Sequence, residues 1–299
     1  MKKFYVLWFL ILAPLFWAGN YVFGEYVVQE MTPLQMTFIR WLIAIVLLFP
    51  LAHWIERPEW KKVWKSWKPL SIMAGLGIVG YNYLLYEALQ YTTPISASLV
   101  NSISPILIVV LSSMILRENL TKWNVTGLLI SLGGVLLVIT NGQLQQIFTI
   151  QYNHGELVML IAVILWALYS ILGRRMTTIP PIAATAVSVV IGLLFTLPIV
   201  LIQGFPSSLS THATIGIIYM GLFPSVGAFI FWNVSLRYID ASRVGIFLYL
   251  IPVFTTTISL MMGKSITLVQ LLGGLLVFIG VYANGRSDVK RKESKLKLI

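Results

Sequence analysis

The sequence contains no cysteine, and only 10% of its residues are charged. The first absence excludes a disulfide scaffold, a thiolate metal site and a thiol nucleophile. Histidine is almost as scarce: His53, His154 and His212 each fall at or beyond the end of an apolar run, which argues against a histidine-rich metal centre. Acidic residues number 10 against 21 Lys and Arg, a net charge of +11. In a soluble chain that excess would suggest nucleic acid. A soluble domain, however, has about a quarter of its residues charged. Here 58% of 299 residues are hydrophobic and mean hydropathy is +0.87, so a soluble globular protein is excluded. The basic residues need a different explanation.

What is present is a series of apolar runs. A helix crossing a hydrocarbon layer needs about 20 apolar residues, because only a helix satisfies its own backbone there. Ten runs qualify: residues 4–26, 33–52, 70–90, 95–116, 123–140, 157–173, 183–202, 213–236, 244–262 and 266–284, taken as spans 1 to 10. Breakers such as Thr93-Pro94, Asn141-Gly142, Pro180-Pro181 and Gly204-Phe205-Pro206 fall between them. Lys2 and Lys3 before the first run give it the look of a signal peptide, but the run is too long for one and is read as span 1.

Short cytoplasmic loops are enriched in Lys and Arg. With the N-terminus inside, 19 of the 21 basic residues fall on the cytoplasmic side; Lys264 lies outside and Arg40 within a span. Both termini are therefore expected in the cytoplasm. The segment bearing Trp60, Trp64 and Trp67, and the tail run Lys290-Arg291-Lys292, read as topology signal and interfacial anchor rather than as nucleic-acid or special lipid patches.

The chain also repeats itself. Ala88-Leu89-Gln90-Tyr91 and Pro105 match Ser235-Leu236-Arg237-Tyr238 and Pro252 at an offset of 147. Trp17 and Gly24 match Trp166 and Gly173 at 149, Pro50 matches Pro198 at 148, and Leu120-Thr121, Gly127 and Gly134-Val135 match Ile266-Thr267, Gly273 and Gly280-Val281 at 146. The expected organisation is a five-helix repeat over 1–140, an external connector over 141–154, a second repeat over 155–285 and a basic cytoplasmic tail over 286–299. Five is odd, so the second copy enters the membrane from the opposite side. Such an inverted repeat has two related arrangements, which is what alternating access to a midplane site requires.

Trp17-Ala18, Arg40, the stretch Ala88-Leu89-Gln90-Tyr91-Thr92 leading to Pro105, then Glu118-Asn119-Leu120-Thr121 with Gly127 and Gly134, resemble the EamA-type transporters of the drug/metabolite transporter superfamily, over essentially the full chain. The resemblance implies a central cavity formed mainly by spans 1–4 and 6–9, with spans 5 and 10 peripheral. It also implies transport of a small metabolite, often export, in what is expected to be a bacterial plasma membrane. One departure stands out. The family has an acidic pair where span 4 meets 5 and again where 9 meets 10; this chain has Arg117-Glu118 and Gly263-Lys264. Locally, Glu118 suits the N-terminal end of span 5 and Lys264 the C-terminal end of span 9.

Polar groups within spans are costly and tend to face the bundle interior or a wet cavity. The inventory is Trp17, Asn20 and Tyr21; Tyr81, Asn82, Tyr83 and Tyr86; Asn101, Ser102 and Ser104; Trp166, Tyr169 and Ser170; Trp232 and Asn233; Tyr249 and Thr255. From these the candidate substrate contacts are Trp17, Asn20, Tyr21, Tyr83, Asn101, Trp166, Tyr169, Asn233 and Tyr249, joined by Arg40. The amides serve equally well as interhelical glue, and the tryptophans as packing. Arg40, roughly 10 Å inside the outer surface at 1.5 Å per residue, either pairs with Glu25 or Glu87 or binds a substrate carboxylate or phosphate. Pro105 and Pro252 each remove a backbone bond midway along a span and are candidate hinges.

A secondary carrier of a small metabolite, amino-acid-like and exported, fits these features best; a multidrug-type exporter of amphipathic compounds is the nearest alternative. An integral-membrane enzyme lacks a mid-span histidine or paired carboxylates, a channel does not account for matched prolines in an inverted repeat, and no phosphate-binding loop offers ATP drive. The expected partners are a small-molecule substrate and the bilayer, with no cofactor, no metal and no nucleic acid. A proton remains open as coupling ion.

Overall fold

In the computed structural model, residues 2–140, 142, 143, 145, 154–206, 208–262 and 268–285 are described. Most of the 141–154 connector, Lys264 and the tail from 286 lie outside them. Ten membrane segments follow in order. Span 1 is Lys2–Val27, span 2 Pro33–Glu56, span 3 Trp67–Leu89, span 5 Lys122–Thr140, span 6 His154–Arg175 and span 7 Pro181–Gln203. Span 8 is Thr211–Tyr238, span 9 Ala241–Met261 and span 10 Leu268–Gly285. Span 4 is divided into Pro94–Asn101 and Ser104–Ile115, with Pro105 opening the second piece. Its counterpart, span 9, tightens into a 3-10 turn at Phe247–Tyr249 just before Pro252. Each proline disrupts the turn that precedes it, because its ring displaces the carbonyl four residues back.

Two features are absent from the sequence reading. A short helix, Trp60–Lys65, lies between spans 2 and 3. Spans 3 and 8 also widen into π-helical segments at equivalent places, Ala74–Gly80 and Phe223–Ala228. A π turn leaves carbonyls without their usual partner and often marks a functional position.

The halves interlock by exchange. Span 1 packs on spans 8 and 9 of the other half, and span 6 packs on spans 3 and 4; span 2 faces span 7, and span 5 faces span 10. The last pair is held by small residues. A Cβ on Gly134 would lie 2.5 Å from the Gly273 carbonyl oxygen, and one on Gly280 would lie 2.6 Å from that of Gly127. Repeat-related glycines thus meet reciprocally, allowing the backbones to touch as small residues do between membrane helices. Large apolar side chains such as Ile202, Met261 and Phe195 point outward, where acyl chains would cover them.

Candidate functional site

The interface between the halves is filled by rings. Trp17 of span 1 meets Trp166 of span 6 edge to face at 5.0 Å, and Trp232 of span 8 lies 5.5 Å from Trp17 and 5.7 Å from Trp166. Tyr169 stacks on Trp166 at 5.3 Å, Tyr81 approaches it at 4.9 Å, and Phe229 closes the group. All six are buried. The sequence-level pairing of Trp17 with Trp166 is therefore a physical contact, made across the repeat boundary.

Beside the rings sits Arg40, completely buried on span 2. Its Nε donates to Ser225 Oγ at 2.7 Å; its Nη1 donates to Asn82 Oδ1 at 2.7 Å, to Asn20 Oδ1 at 3.1 Å and to the Tyr86 hydroxyl. Neither Glu25 nor Glu87 is among these partners, and none of the ion pairs of the described residues includes Arg40. The expected salt bridge is replaced by neutral acceptors that lie deeper in the bundle than the two carboxylates at the span ends. Nη2 has no hydrogen-bond partner.

The same neutral partners repair the π segments. Asn82 Nδ2 donates to the carbonyls of Gly77 and Ile78 at 2.8 and 2.9 Å, and Ser225 Oγ donates to the Met220 carbonyl at 2.6 Å. Trp41 Nε1 donates to the Ile78 carbonyl as well. Arg40 thus ties a π segment of one half to that of the other.

The remaining candidates fall into smaller sets. Tyr21 donates to Tyr81, which donates to Asn101; Ser104 donates to the same oxygen of Asn101. Tyr86 donates to Asn20 at 2.9 Å, and Asn233 donates to Tyr169 at 2.8 Å. By the repeat offsets Asn20 corresponds to Tyr169 and Tyr86 to Asn233, so one Tyr–Asn pair occurs twice with its partners exchanged. Arg40 corresponds to Ser188 and has no such twin. Tyr249 is buried with its hydroxyl unpartnered, at the break of span 9 that packs on span 1. Tyr83 alone stands apart, 36% exposed on span 3.

Both ends of the bundle are latched between halves. At one end Glu56 accepts from the backbone N–H groups of Ile182 and Ala183, and Glu118 accepts from Ala241, Ser242 and the Ser242 hydroxyl, with Arg174 3.9 Å away. Glu118 therefore serves the start of span 9, not that of span 5, where Thr121 and Asn124 cap each other. The carboxylate suits the partial positive charge of a helix N-terminus. At the other end Glu30 takes two bonds from Ser210, and Gln35 donates to the Gly204 carbonyl. The Ser210 hydroxyl and N–H hold the Glu30 carboxyl below the usual carboxylate range, so this latch is complete at neutral pH and is lost as pH falls through that lowered value.

Sequence reasoning missed Trp41, Ser225 and Phe229 altogether and left Tyr81, Asn82, Tyr86 and Trp232 off the site. Asn82 and Tyr86 lie just before the run in which the repeat offset is clearest, which was the available signal; Ser225 sits between Pro224 and Gly227, ordinary breakers with no polar pattern.

A model of the EamA-like transporter family matches residues 4–140 and again 153–286. An uncharacterized transporter of Bacillus subtilis, YyaM, is 31% identical over 286 residues, covering 94% of this chain and 93% of that protein. An uncharacterized transporter of Archaeoglobus fulgidus is 28% identical, covering 91% and 94%. The aromatic amino acid exporter YddG of Ancylobacter novellus is 24% identical over 235 residues, covering 77% and 79%. A solved crystal structure superposes with a TM-score of 0.76 at 20% identity over 93% of this chain and 95% of that one, a likeness of fold.

Proposed function

The chain belongs to the EamA-like transporter family, and from that premise we propose that this integral membrane protein is a secondary carrier exporting a small, amino-acid-like metabolite by alternating access. The observation that carries the reading is the exchange of contacts between halves. Span 1 on spans 8 and 9 and span 6 on spans 3 and 4 are the same packing with the roles reversed, so tilting one way or the other breaks and makes equivalent sets. Pro105 and Pro252, with the breaks before them, are the hinges of this motion.

Trp17, Trp166, Tyr169, Asn20, Tyr21, Arg40, Asn101, Asn233 and Tyr249 are the substrate contacts in this reading, reached when the ring cluster parts; Tyr83, exposed and outside the cluster, joins them only at the edge of the path. The similarity to an aromatic amino acid exporter supports a substrate with an apolar body and a polar head. A buried arginine beside the rings disfavours cationic drugs. The latches join loops of one expected side to each other, and the excess of Lys and Arg on the side of both termini supports a cytoplasmic placement there.

The test is counterflow in proteoliposomes with labelled amino acids. A carrier gives saturable uptake accelerated by unlabelled substrate inside. Flux that rises linearly with concentration and shows no such acceleration contradicts it.

A further inference from the structure

We propose that Arg40 is the anion-binding residue of this carrier and that its preferred ligands are monoanionic carboxylates with an aromatic or large apolar body, bound ahead of zwitterions and cations. The proposal rests on the carrier reading above and narrows its amino-acid-like substrate to the carboxylate of the same body without the ammonium.

A guanidinium fully removed from water, with only neutral acceptors around it, is an uncompensated charge. Within a membrane such charges pair with a partner or serve a ligand path. The neutral acceptors occupy Nε and Nη1 and leave Nη2 bare, so one carboxylate oxygen on Nη2 completes the fork without breaking an existing bond. The pairing takes place at the seam, since Ser225 belongs to the other half.

The apolar body follows from what adjoins the charge. The Trp41 ring lies 5.3 Å from the guanidinium carbon and 4.8 Å from Phe229, itself part of the cluster of Trp17 and Trp166. A ligand held by its carboxylate at Arg40 therefore has aromatic surface within one ring's reach. The preference for a monoanion follows from charge balance. A monoanion neutralises Arg40, whereas the ammonium of a zwitterion would enter a centre whose polar groups are amides and hydroxyls, the acidic side chains of the described residues lying near the span ends. One free guanidinium nitrogen suits a carboxylate better than a phosphate dianion, which calls on several charge-assisted donors.

The test keeps an aromatic ring, indole in three of the probes, and changes the charge. Binding of indole-3-propionate, L-tryptophan and tryptamine to the purified full chain is measured by calorimetry, with phenyl phosphate as a fourth probe. The propionate should bind tightest, about tenfold or more ahead of tryptamine, as expected for a charge-assisted bond made by one ligand only. Arg40→Gln should abolish that discrimination. Because Arg40→Gln also disturbs the network, Asn20→Asp is the second variant: it retains both bonds accepted at that oxygen, supplies an internal counter-charge, and should weaken the propionate about tenfold with the unfolding temperature preserved. Tryptophan, tryptamine or phenyl phosphate binding as well as the propionate, no binding of the propionate, or indifference to both variants overturns the proposal. Counterflow of a substrate lacking a carboxylate leaves the carrier standing and removes Arg40 from this role; loss of all counterflow removes the carrier, and the binding series still decides Arg40.

Discussion

One side-chain amide, that of Asn82, accepts from Arg40 and donates to two carbonyls of the π segment, that of Gly77 and that of Ile78, the second shared with Trp41. Asn82→Leu keeps much of the volume and removes all three bonds. A buried group left unpaired costs about 1–3 kcal/mol, so the variant should unfold at a clearly lower temperature in detergent, while Tyr83→Phe at an exposed position should not shift it. Equal stability of the two would show that the network around Arg40 is not holding the π segment. Arg40 itself was legible in the sequence as the one deep charge, but its partners were not. Opposite charge pointed to Glu25 and Glu87, and nothing local connects residue 40 to Ser225, which folding brings from the other half. Glu118 shows the same limit, being near span 5 in sequence and bound to span 9 in space.

At the scale of elements, composition and spacing located the spans well. Runs long enough to cross a membrane leave few alternatives, and the prolines placed the breaks in spans 4 and 9. The π segments escaped because no residue type demands one; they follow from tertiary packing. Gly77 shows how tight that packing is: a Cβ there would come within 2.3 Å of the Tyr169 ring of span 6. Gly77→Ala should therefore destabilise the fold by about 1–3 kcal/mol, the usual cost of overpacking, and adding Tyr169→Leu should recover part of the loss, since contacting sites are not additive. Stability unaffected by Gly77→Ala, read from thermal unfolding, would mean that spans 3 and 6 do not approach as described.

Across the whole molecule, the internal repeat read from matched residues becomes a pattern of contacts: 1 with 8 and 9, 6 with 3 and 4, 2 with 7, 5 with 10. Sequence offsets revealed that two copies exist, whereas the closure of both ends and the filling of the seam by rings depend on side-chain geometry that no offset encodes. In this closed arrangement Ser102 and Ser170 are buried, on spans 4 and 6. Because the chain has no cysteine, a single Cys at either place is a clean probe of access. The most direct test of alternating access is the labelling of Ser102→Cys and Ser170→Cys in oriented vesicles by a membrane-impermeant thiol reagent applied to one face at a time, with and without transported substrate. Each position should be labelled from either face, substrate should shift the balance of the two rates, and the reagent should never pass through the protein. Labelling from one face only, or passage of the reagent from one side to the other, would contradict it.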